Sequence, residues 1–399
     1  MNTYTDALSK VKASAKLLNE DLEFLYSPER TVITSFSAKI KGEIKYFTGY
    51  RVRYNTLLGP GKGGIRFDSN VDIYEVSALA LWMTLKNSLA GLPYGGAKGG
   101  VTVNPKELSS NDLENVTRGF ARSISNDLGA AIDIPAPDVY TNSQTMSWIL
   151  DEYETIKGRH EPGMITGKPL VLGGSLGRDT STAMGAFYIC KSIKQNNSAV
   201  IEGFGNAGMN LATFLFNEGY NILGVSDSKG AIFNKSGLKI PELIRHKEAA
   251  KQVSGFADSE ELSNNELLEL QTDLLFPCAT ENSINKDNAH KINAKYIIEL
   301  ANGPVTSEAD RILESKGIMV YPDILANSGG VIGSYYEWVQ NNQGMQWGIE
   351  QINSMLKEKM TTNLSNVINE AGKLNCSLRE SAYALAIKRL LEAKKLRGR

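Results

Sequence analysis

The alternation of apolar and polar positions in the first part of the chain predicts a β-hairpin followed by a helix. Residues Val32, Thr34, Phe36, Ala38 and Ile40, all but Thr34 apolar, recur at every second position, and a second alternating run, Tyr46–Tyr54, follows the turn-forming residues 41–43. Period-two alternation is typical of strands with one buried face. From Asp72 to Leu89 the apolar residues recur at helical spacing, and Gly91 is expected to end that helix.

The second half of the chain has a different rhythm, in which short apolar runs alternate with helical segments. The predicted strands are Ser198–Glu202, Ile222–Val225, Tyr296–Leu300 and Ile318–Tyr321, and the predicted helices are Asn206–Asn217 and Ser307–Lys316. This alternation is typical of a parallel sheet covered by helices. After Asn327 the pattern is helical to the end. We therefore expect an α/β protein of two domains, with the cleft between them as the default site.

Composition and charge argue against several functional classes. Lys and Arg total 43 against 44 Asp and Glu, so the net charge of -1 gives no reason to expect nucleic acid or an anionic membrane as a partner. No apolar run approaches the ~20 residues of a membrane span, and the N-terminus lacks the pattern of a signal peptide, so we expect a cytoplasmic protein. The three cysteines and three histidines are scattered, which predicts no metal site and leaves lysine and aspartate as the candidates for chemistry.

A glycine motif predicts a dinucleotide site. Between a predicted strand and a predicted helix the chain reads Gly203, Phe204, Gly205, Asn206, Ala207 and Gly208, which fits G-x-G-x-x-G. The glycines allow a tight turn and close approach of the pyrophosphate, and the helix N-terminus attracts the phosphates. Asp227 follows at about the 20-residue spacing of the ribose-binding acid, which slightly favours NAD over NADP. Ser226 and Ser228 flank it and could instead help to hold a 2′-phosphate.

Three lysines lie in unusual settings. Lys62 and Lys98 each lie within a glycine cluster, Gly59–Gly64 and Gly95–Gly100, and Lys86 lies near the end of an apolar helix. Neither cluster is a nucleotide phosphate loop, because Gly follows the lysine where Ser or Thr is required. Taken singly, each lysine could be a solvated loop charge or a partner of a helix dipole. Glycines around a lysine also permit close approach of a ligand.

Together with the segment Pro135-Ala136-Pro137-Asp138, these lysines make the chain resemble the glutamate/leucine/phenylalanine/valine dehydrogenase family, and most closely its glutamate dehydrogenases. The blocks that carry the resemblance are Gly59–Phe67, Leu92–Val101, Ile134–Val139, Thr166–Arg178, Val200–Gly208 and Pro322–Trp338. They occur in the family's order and cover nearly the whole chain, so the match is far more specific than the glycine motif alone.

The resemblance implies roles for individual residues. Lys98 would be the catalytic lysine and Asp138 its acid/base partner, while Lys86 would bind the substrate α-carboxylate and Lys62 with Ser334 the side-chain carboxylate. Further substrate contacts would come from Arg178 and Asn327, and coenzyme contacts from Thr182, Ser228, Ala279, Thr280 and Asn302 in addition to the glycine motif and Asp227.

The resemblance also implies the overall design. Residues 1–170 would form a mixed α/β substrate-binding and oligomerisation domain, with a C-terminal helix at 372–399 packing back on it. Residues 171–371 would form a Rossmann-like, doubly wound NAD(P)-binding domain. The expected reaction is oxidative deamination of L-glutamate to 2-oxoglutarate and ammonium, and its reverse, in a homohexamer. The alternatives are a relative acting on another amino acid and a catalytically silent nucleotide-binding subunit.

The chemistry requires an uncharged lysine that deprotonates the attacking water. We expect the other two ammonium groups and a dry closed cleft to lower the pKa of Lys98, and Asp138 to exchange a proton with the substrate nitrogen. Three positions depart from the family's pattern. Met184 stands where an Arg is usual, Tyr140 replaces a smaller or polar residue, and Gly61 stands where an aromatic is frequent.

Overall fold

The structure is a computed structural model that describes residues 3–193 and 197–398. It divides into two compact units. The first holds the chain up to Arg178, Ile332–Ile352 and the chain from Tyr383, and the second holds Asp179–Val331 and Asn353–Ala382. An α/β fold with two domains is therefore confirmed. The limits 1–170 and 171–371 remain sequence-based expectations.

The first unit is built on a five-stranded mixed sheet. Its strands are β1 (Arg30–Ile40), β2 (Glu43–Asn55), β3 (Gly61–Asp68), β4 (Gly96–Thr102) and β5 (Asp133–Pro137), and its N-terminal helices are α1 (Thr3–Leu18), α2 (Ile73–Leu89), α3 (Ser110–Ile124) and α4 (Ser143–Lys157). The strand order is β1-β2-β4-β3-β5. β1 and β2 form the predicted antiparallel hairpin, whereas β3 runs parallel to both β4 and β5.

The predicted apolar stripes form the core of this unit. Phe36 of β1 is paired with Phe47 of β2, with ring centroids 5.9 Å apart, and packs on Phe120 of α3. Burial of such side chains is the main force that holds helix and sheet together. Helix α2 begins, as predicted, after Asp72, whose side chain accepts a hydrogen bond from the backbone N–H of Glu75.

Glycines let α2 and the strands approach closely. A Cβ atom at Gly96 would lie 2.1 Å from Thr84 Oγ1 of α2, and one at Gly63 would lie 1.6 Å from the carbonyl oxygen of Ala97. Both distances are impossible for a side chain, so only glycine fits at these two positions. The glycine clusters around Lys62 and Lys98 therefore serve the packing of β3, β4 and α2.

The second unit contains the predicted parallel sheet. Its strands are β6 (Ser198–Glu202), β7 (Asn221–Asp227), β8 (Gly230–Phe233), β9 (Glu260–Leu262), β10 (Thr272–Pro277), β11 (Ala294–Ile298) and β12 (Met319–Tyr321), and its helices are α5 (Ser181–Ser192), α6 (Asn206–Asn217), α7 (Ile240–Ala250), α8 (Asn264–Leu268), α9 (Ser307–Ser315) and α10 (Asp323–Ala326). The order is β12-β11-β10-β6-β7-β8-β9, parallel from β12 to β7, with β8 and β9 added antiparallel.

Two details of this sheet differ from the prediction. Strands β8, β9 and β10 were not predicted from the sequence. The strand predicted at Tyr296–Leu300 lies two residues earlier, at Ala294–Ile298. The displacement arises because the backbone N–H groups of Leu300 and Ala301 both donate to the carbonyl of Pro277, which turns the chain into a loop.

Three long helices complete the chain: α11 (Gly329–Gln343), α12 (Ile349–Leu374) and α13 (Leu378–Leu396). The last part of α13 packs on the end of α2, where Arg389 Nη1 donates to the carbonyl of Ser88 at 3.0 Å and Ser88 Oγ donates to the carbonyl of Ala386 at 2.7 Å. Within the described residues, no helix combines the length and apolar character needed to cross a bilayer.

Candidate active site

Three neighbouring strands of the first unit carry the central charged residues. Lys98 lies in β4, Lys62 in the adjacent β3, and Asp138 directly follows β5 on the other side of β3. This order brings Lys98 Nζ to 3.0 Å from Asp138 Oδ1, with side chains only 5% and 17% exposed. A lysine and an aspartate from two different strands thus form a largely buried ion pair.

A tight turn fixes the direction of Asp138. Its backbone N–H donates to Thr141 Oγ1 at 2.8 Å, and that hydroxyl donates to the carbonyl of Ile65 at 2.8 Å. Tyr140 adopts a left-handed conformation with φ of 54°, which is uncommon for a bulky residue. The hydroxyl of Thr141 thus holds the backbone of Asp138 against β3, in addition to the restriction that the preceding Pro137 imposes.

Arg66 of β3 is a further member of the group, which the sequence analysis missed. Its Nε donates to Asp138 Oδ2 at 2.7 Å, and its Nη1 forms an ion pair with Glu75 in the first turn of α2. Asp138 therefore has a different cation on each carboxylate oxygen. Arg66 lies four residues after Lys62 in the same glycine-rich block, and that proximity was the only signal in the sequence.

The charges around this pair shift both pKa values. Burial lowers the pKa of Lys98, and the guanidiniums of Arg66 and Arg51 lower it further. The charge of Asp138 raises this pKa but offsets only part of the decrease. Burial by itself would raise the pKa of Asp138, but the charges of Lys98 and Arg66 outweigh it and lower that pKa below its ordinary value. We expected a dry closed cleft and two ammonium groups to lower the pKa of Lys98. Burial is the largest cause in the structure, and the cations that add to it are the guanidiniums of Arg66 in β3 and Arg51 in β2.

Lys62 is buried more completely than Lys98, with only 1% exposed. Its Nζ donates to the carbonyl of Pro135 at 3.3 Å, and the same carbonyl accepts the backbone N–H of Thr166 at 3.0 Å. Burial, followed by the charges of Arg178 and Arg51, holds its pKa well below the ordinary value, although Glu337 and Asp133 act in the opposite direction. A buried amine with one carbonyl acceptor is chemically suited to receive an anionic ligand.

Two buried ion pairs support these side chains. Arg51 donates from Nε and Nη2 to Asp133 at 2.8 and 2.5 Å and from Nη1 to the carbonyl of Gly63, which ties β2, β3 and β5 together. Lys168 Nζ lies 2.7 Å from Glu337 Oε1, and both side chains are inaccessible. Neither pair was predicted, because their members are far apart along the chain.

Glu337 also fixes the loop that carries Thr166. It accepts the backbone N–H of Gly167 at 2.8 Å. The hydroxyl of Thr166 is buried and has no hydrogen-bond partner in the described structure, so it is available to a ligand. Ser334 is buried one helical turn before Glu337 on α11.

Lys86 lies on α2 between two residues that contact the sheet and its loops. Met83 Cγ would lie 3.3 Å from a Cβ atom at Gly63, and Asn87 Nδ2 donates to the carbonyl of Gly95 at 2.6 Å. Lys86 is 8% exposed. Its role toward the α-carboxylate, like those of Ser334 and Arg178 toward the substrate, stays a prediction.

In the second unit, the turn after β6 has the features that a dinucleotide requires. Gly203 has φ of 98°, and a Cβ atom there would lie 2.8 Å from the backbone N of Ala279. A Cβ atom at Gly208 would lie 2.0 Å from the carbonyl oxygen of Gly203, whereas nothing lies within 4 Å of one at Gly205. The turn is thus closed on the protein side and open at Gly205, where α6 begins. These residues fit a pyrophosphate.

Asp227 at the end of β7 already has several partners. It accepts hydrogen bonds from Lys247 Nζ at 2.8 Å and from the backbone N–H groups of Val253 and Lys229, each at 2.9 Å. Lys247 lies with its Nζ 5.7 Å from the ring centroid of Phe204 in the glycine motif. The predicted ribose-binding acid is therefore accompanied by a cation, which the sequence did not indicate.

The other residues assigned to the coenzyme, and Asn327, which was assigned to the substrate, also lie in the second unit, several of them at the edge where its parallel strands end. Asn327 Nδ2 donates to Asn302 Oδ1 at 3.1 Å and to the carbonyl of Leu300 at 3.1 Å. The hydroxyl of Thr182 lies close to Gly330, because a Cβ atom at Gly330 would be only 2.5 Å from it. Ser228, Ala279, Thr280 and Asn302 are all exposed. Their contacts with a coenzyme remain predictions.

Behind this edge lies a buried ion-pair network. Arg379 donates to both oxygens of Glu299, at 2.8 and 2.9 Å, and Glu299 accepts the backbone N–H of Asp323 at 2.8 Å. Asp323 in turn accepts the backbone N–H of Gly303 at 2.9 Å, next to Asn302. The network fixes the loop that follows β11.

Glu202, directly before Gly203, is a buried acid that the sequence analysis also missed. Burial raises its pKa to about 7, although hydrogen bonds from Ser283 and from the backbone N–H of Ala279 oppose the shift. Across the described parts of the chain, no group of three or more metal-ligating side chains occurs.

Comparison with known proteins assigns both halves of the chain. The family model described as Glutamate/Leucine/Phenylalanine/Valine dehydrogenase matches residues 173–398, and the model described as Glu/Leu/Phe/Val dehydrogenase, dimerisation domain, matches residues 28–155. The chain is 44% identical to an NADP-specific glutamate dehydrogenase of Synechocystis sp., over 99% of this chain and 97% of that protein. It is 47% identical to an NAD-specific glutamate dehydrogenase of Staphylococcus aureus, over 90% of this chain and 88% of that protein.

A solved structure shows the same fold. The hetero-hexameric glutamate dehydrogenase from Thermus thermophilus, crystallised in a leucine-bound form, superimposes with a TM-score of 0.94. The two chains are 32% identical, and the match covers 100% of this chain and 97% of that one.

Proposed function

The chain belongs to the Glutamate/Leucine/Phenylalanine/Valine dehydrogenase family, and from this premise we propose that it catalyses the oxidative deamination of L-glutamate to 2-oxoglutarate and ammonium, and the reverse reductive amination, with NAD(P). The observation that carries the proposal is the buried pair of Lys98 and Asp138 beside a second buried amine, that of Lys62, on the adjacent strand. A dicarboxylate substrate needs cationic groups for both carboxylates as well as a base.

Binding is assigned as follows. Lys62 holds the side-chain carboxylate together with Ser334 and Thr166, and Lys86 holds the α-carboxylate. A carboxylate next to Lys62 restores the positive charge that burial opposes, so binding is strongest while that amine is protonated. An apolar side chain would instead leave the buried amine without an anion, which disfavours branched-chain and aromatic substrates.

The chemical step divides between coenzyme and protein. The nicotinamide coenzyme, when bound, accepts the hydride that leaves the substrate α-carbon. Lys98, whose lowered pKa favours loss of its proton, takes in its uncharged form a proton from the water that adds to the resulting iminium carbon. Asp138, the hydrogen-bond neighbour of Lys98, passes that proton from Lys98 to the nitrogen of the carbinolamine. Lys98 then takes the proton of the carbinolamine hydroxyl, the C–N bond breaks, and ammonia leaves as the carbonyl of 2-oxoglutarate forms.

The second unit supplies the coenzyme residues. The turn of Gly203–Gly208 would hold the pyrophosphate, and Asp227 would bind the adenosine ribose. We favour NAD slightly, since a carboxylate repels a 2′-phosphate. Lys247 weakens this preference, because its charge lies 2.8 Å from that carboxylate and also suits a phosphate. The Staphylococcus aureus relative is NAD-specific and the Synechocystis relative is NADP-specific.

We also assign a homohexameric assembly and a cytoplasmic location. The hexamer is supported by the Thermus thermophilus structure, which is hetero-hexameric, and by the dimerisation-domain model that matches residues 28–155. The cytoplasmic location rests on the scattered cysteines, none of which forms a disulfide among the described residues.

The decisive assay is reductive amination of 2-oxoglutarate with ammonium, followed with NADH and with NADPH in parallel. Turnover with 2-oxoglutarate should exceed turnover with the oxo acids of leucine, valine and phenylalanine by at least about 100-fold. Preference for an apolar oxo acid would overturn the proposed substrate. Exclusive use of NADPH would overturn the preference for NAD and assign the dominant role to Lys247.

A further inference from the structure

We propose that Arg66 and Glu75 are positioning residues for the proton-transfer pair, and that together they set the direction and the acidity of the Asp138 carboxyl. Arg66 holds one oxygen of Asp138 while Glu75 holds Arg66, so the carboxyl presents its other oxygen to Lys98. This inference rests on the proposed function and adds residues that the sequence did not assign to it.

The geometry forms one line of alternating charges across α2, β3, the turn after β5, and β4. Glu75 on α2 contacts Arg66 Nη1, Arg66 Nε lies 2.7 Å from Asp138 Oδ2, and Asp138 Oδ1 lies 3.0 Å from Lys98 Nζ. Arg66 is 15% exposed and Glu75 is 30% exposed, so the line begins near solvent and ends at a lysine that is 5% exposed. Each link is a charge-assisted hydrogen bond or ion pair, the strong class of such contacts.

The two oxygens of Asp138 consequently differ. The Arg66 guanidinium keeps Oδ2 occupied, because its Nε–H donates in a fixed direction. Only Oδ1 is left to share a proton with Lys98 or with a substrate nitrogen. A lone lysine–aspartate pair would have no such distinction, since a carboxylate can rotate to present either oxygen.

Arg66 also acts on both titrating groups. The charged groups that act on Lys98 are Asp138, Arg66 and Arg51, and those that act on Asp138 are Lys98 and Arg66. Removing Arg66 would raise the pKa of Lys98 and of Asp138 together, because a cation disfavours an ammonium and favours a carboxylate. Removing the carboxylate of Glu75 would leave the charge of Arg66 less neutralised. The pKa values of Lys98 and Asp138 would then both fall, opposite to the effect of removing Arg66.

The test is the pH dependence of kcat for glutamate oxidation in Arg66→Gln, Arg66→Lys and Glu75→Gln. In this direction the rate rises with pH as Lys98 loses its proton. Arg66→Gln should move that rise to higher pH by about 1 unit and lower the maximal kcat about 10-fold. Glu75→Gln should move the rise of kcat to lower pH by a smaller amount. Arg66→Lys should place the rise close to its wild-type pH but restore less of the maximal kcat.

Opposite displacements are the signature that a merely structural role would not give. Arg118→Gln is the matched control, because Arg118 also joins several carboxylates in the first unit but contacts neither Lys98 nor Asp138. Its profile should coincide with that of the wild type. If Arg66→Gln does not fold, the displacement in Glu75→Gln still decides. An active wild type whose profile is matched by Glu75→Gln and Arg66→Gln would overturn this inference alone, whereas a wild type inactive with glutamate would overturn the proposed function as well.

Discussion

The two units of the molecule handle charge in opposite ways. In the first, the site consists of ionisable side chains inside the sheet, with Lys98 and Asp138 in contact and Lys62 buried on the strand between them. In the second, the turn that fits a pyrophosphate consists of backbone groups and glycines, and the charged pair of Asp227 and Lys247 lies at the end of the next strand. The buried ion pair of Arg379 and Glu299 lies behind the loops.

This difference corresponds to two functions, proton transfer in the first unit and coenzyme binding in the second. Buried charges are costly, and they persist where a reaction uses their altered proton affinity. Backbone N–H groups at a helix N-terminus bind phosphate without any titrating group, so binding there is nearly independent of pH. Substitutions in the first unit should therefore change rate and proton affinity, whereas those in the second should change coenzyme affinity or stability.

The largest effect is expected for Lys98→Ala, which should lower kcat at least about 1,000-fold while coenzyme binding is retained. The amine that accepts the proton of water is lost, but the glycine turn of the second unit is untouched. Stopped-flow turnover and NADH fluorescence titration measure the two properties separately. Lys373→Ala, an exposed lysine on α12, should leave both unchanged. Full turnover in Lys98→Ala would contradict the assignment of the catalytic base to the first unit.

Lys62→Leu should separate substrate choice from catalysis. Removing the buried amine should lower kcat/KM for glutamate about 100-fold or more, and that for norvaline, which lacks the side-chain carboxylate, far less. In the wild type, KM for glutamate should rise at alkaline pH. The lowered pKa of Lys62 means that its amine loses its charge at a lower pH than an exposed lysine does. Equal losses on the two substrates would contradict the assignment.

The smallest effect is expected at Glu202, the buried acid directly before the glycine turn of the second unit. Burial raises the pKa of Glu202 to about 7, above the ~4.3 of an unfolded chain. An acid with a raised pKa in the folded state stabilises the fold only at low pH, and that contribution is lost as the pH rises toward 7. By pH 8 the ionised carboxyl costs up to about 4 kcal/mol.

Glu202→Gln should therefore raise the thermal midpoint by several degrees at pH 8 and much less at pH 5, with turnover little changed. Differential scanning calorimetry at the two pH values provides the measurement. Glu248→Gln, on the exposed face of α7, is the matched control. A gain that is equal at both pH values would mean that Glu202 is not ionised at pH 8.

The sequence predicted those parts of the molecule in which local pattern and packing agree. The hairpin β1–β2, helix α2 after Asp72 and the β6–α6 turn all lie within single segments whose periodicity and glycines specify them. Strands β8 and β9 were missed because they are short and pair at the edge of the sheet. β10 was missed because a short, continuous apolar run cannot be assigned by periodicity.

The charged network was predictable only in part, for a physical reason. Lys98 and Asp138 were named through a family resemblance, but their contact depends on β3 lying between β4 and β5, which no local pattern encodes. Arg66, Arg51 and Lys247 were missed because an arginine or lysine within an ordinary strand or helix looks like a surface charge until its partner is known.

Strand β4 has a consequence for the accuracy of folding. It reads Gly-Ala-Lys-Gly-Gly-Val-Thr, and in the native alignment Val52 faces Lys98. A slip by one residue would turn that lysine to the opposite side of the sheet. The same slip would bring the side chain of Ala97 to the place of Gly96, where a Cβ atom would lie 2.1 Å from Thr84 Oγ1. The missing side chain at Gly96 therefore also keeps the base on the correct side of the sheet.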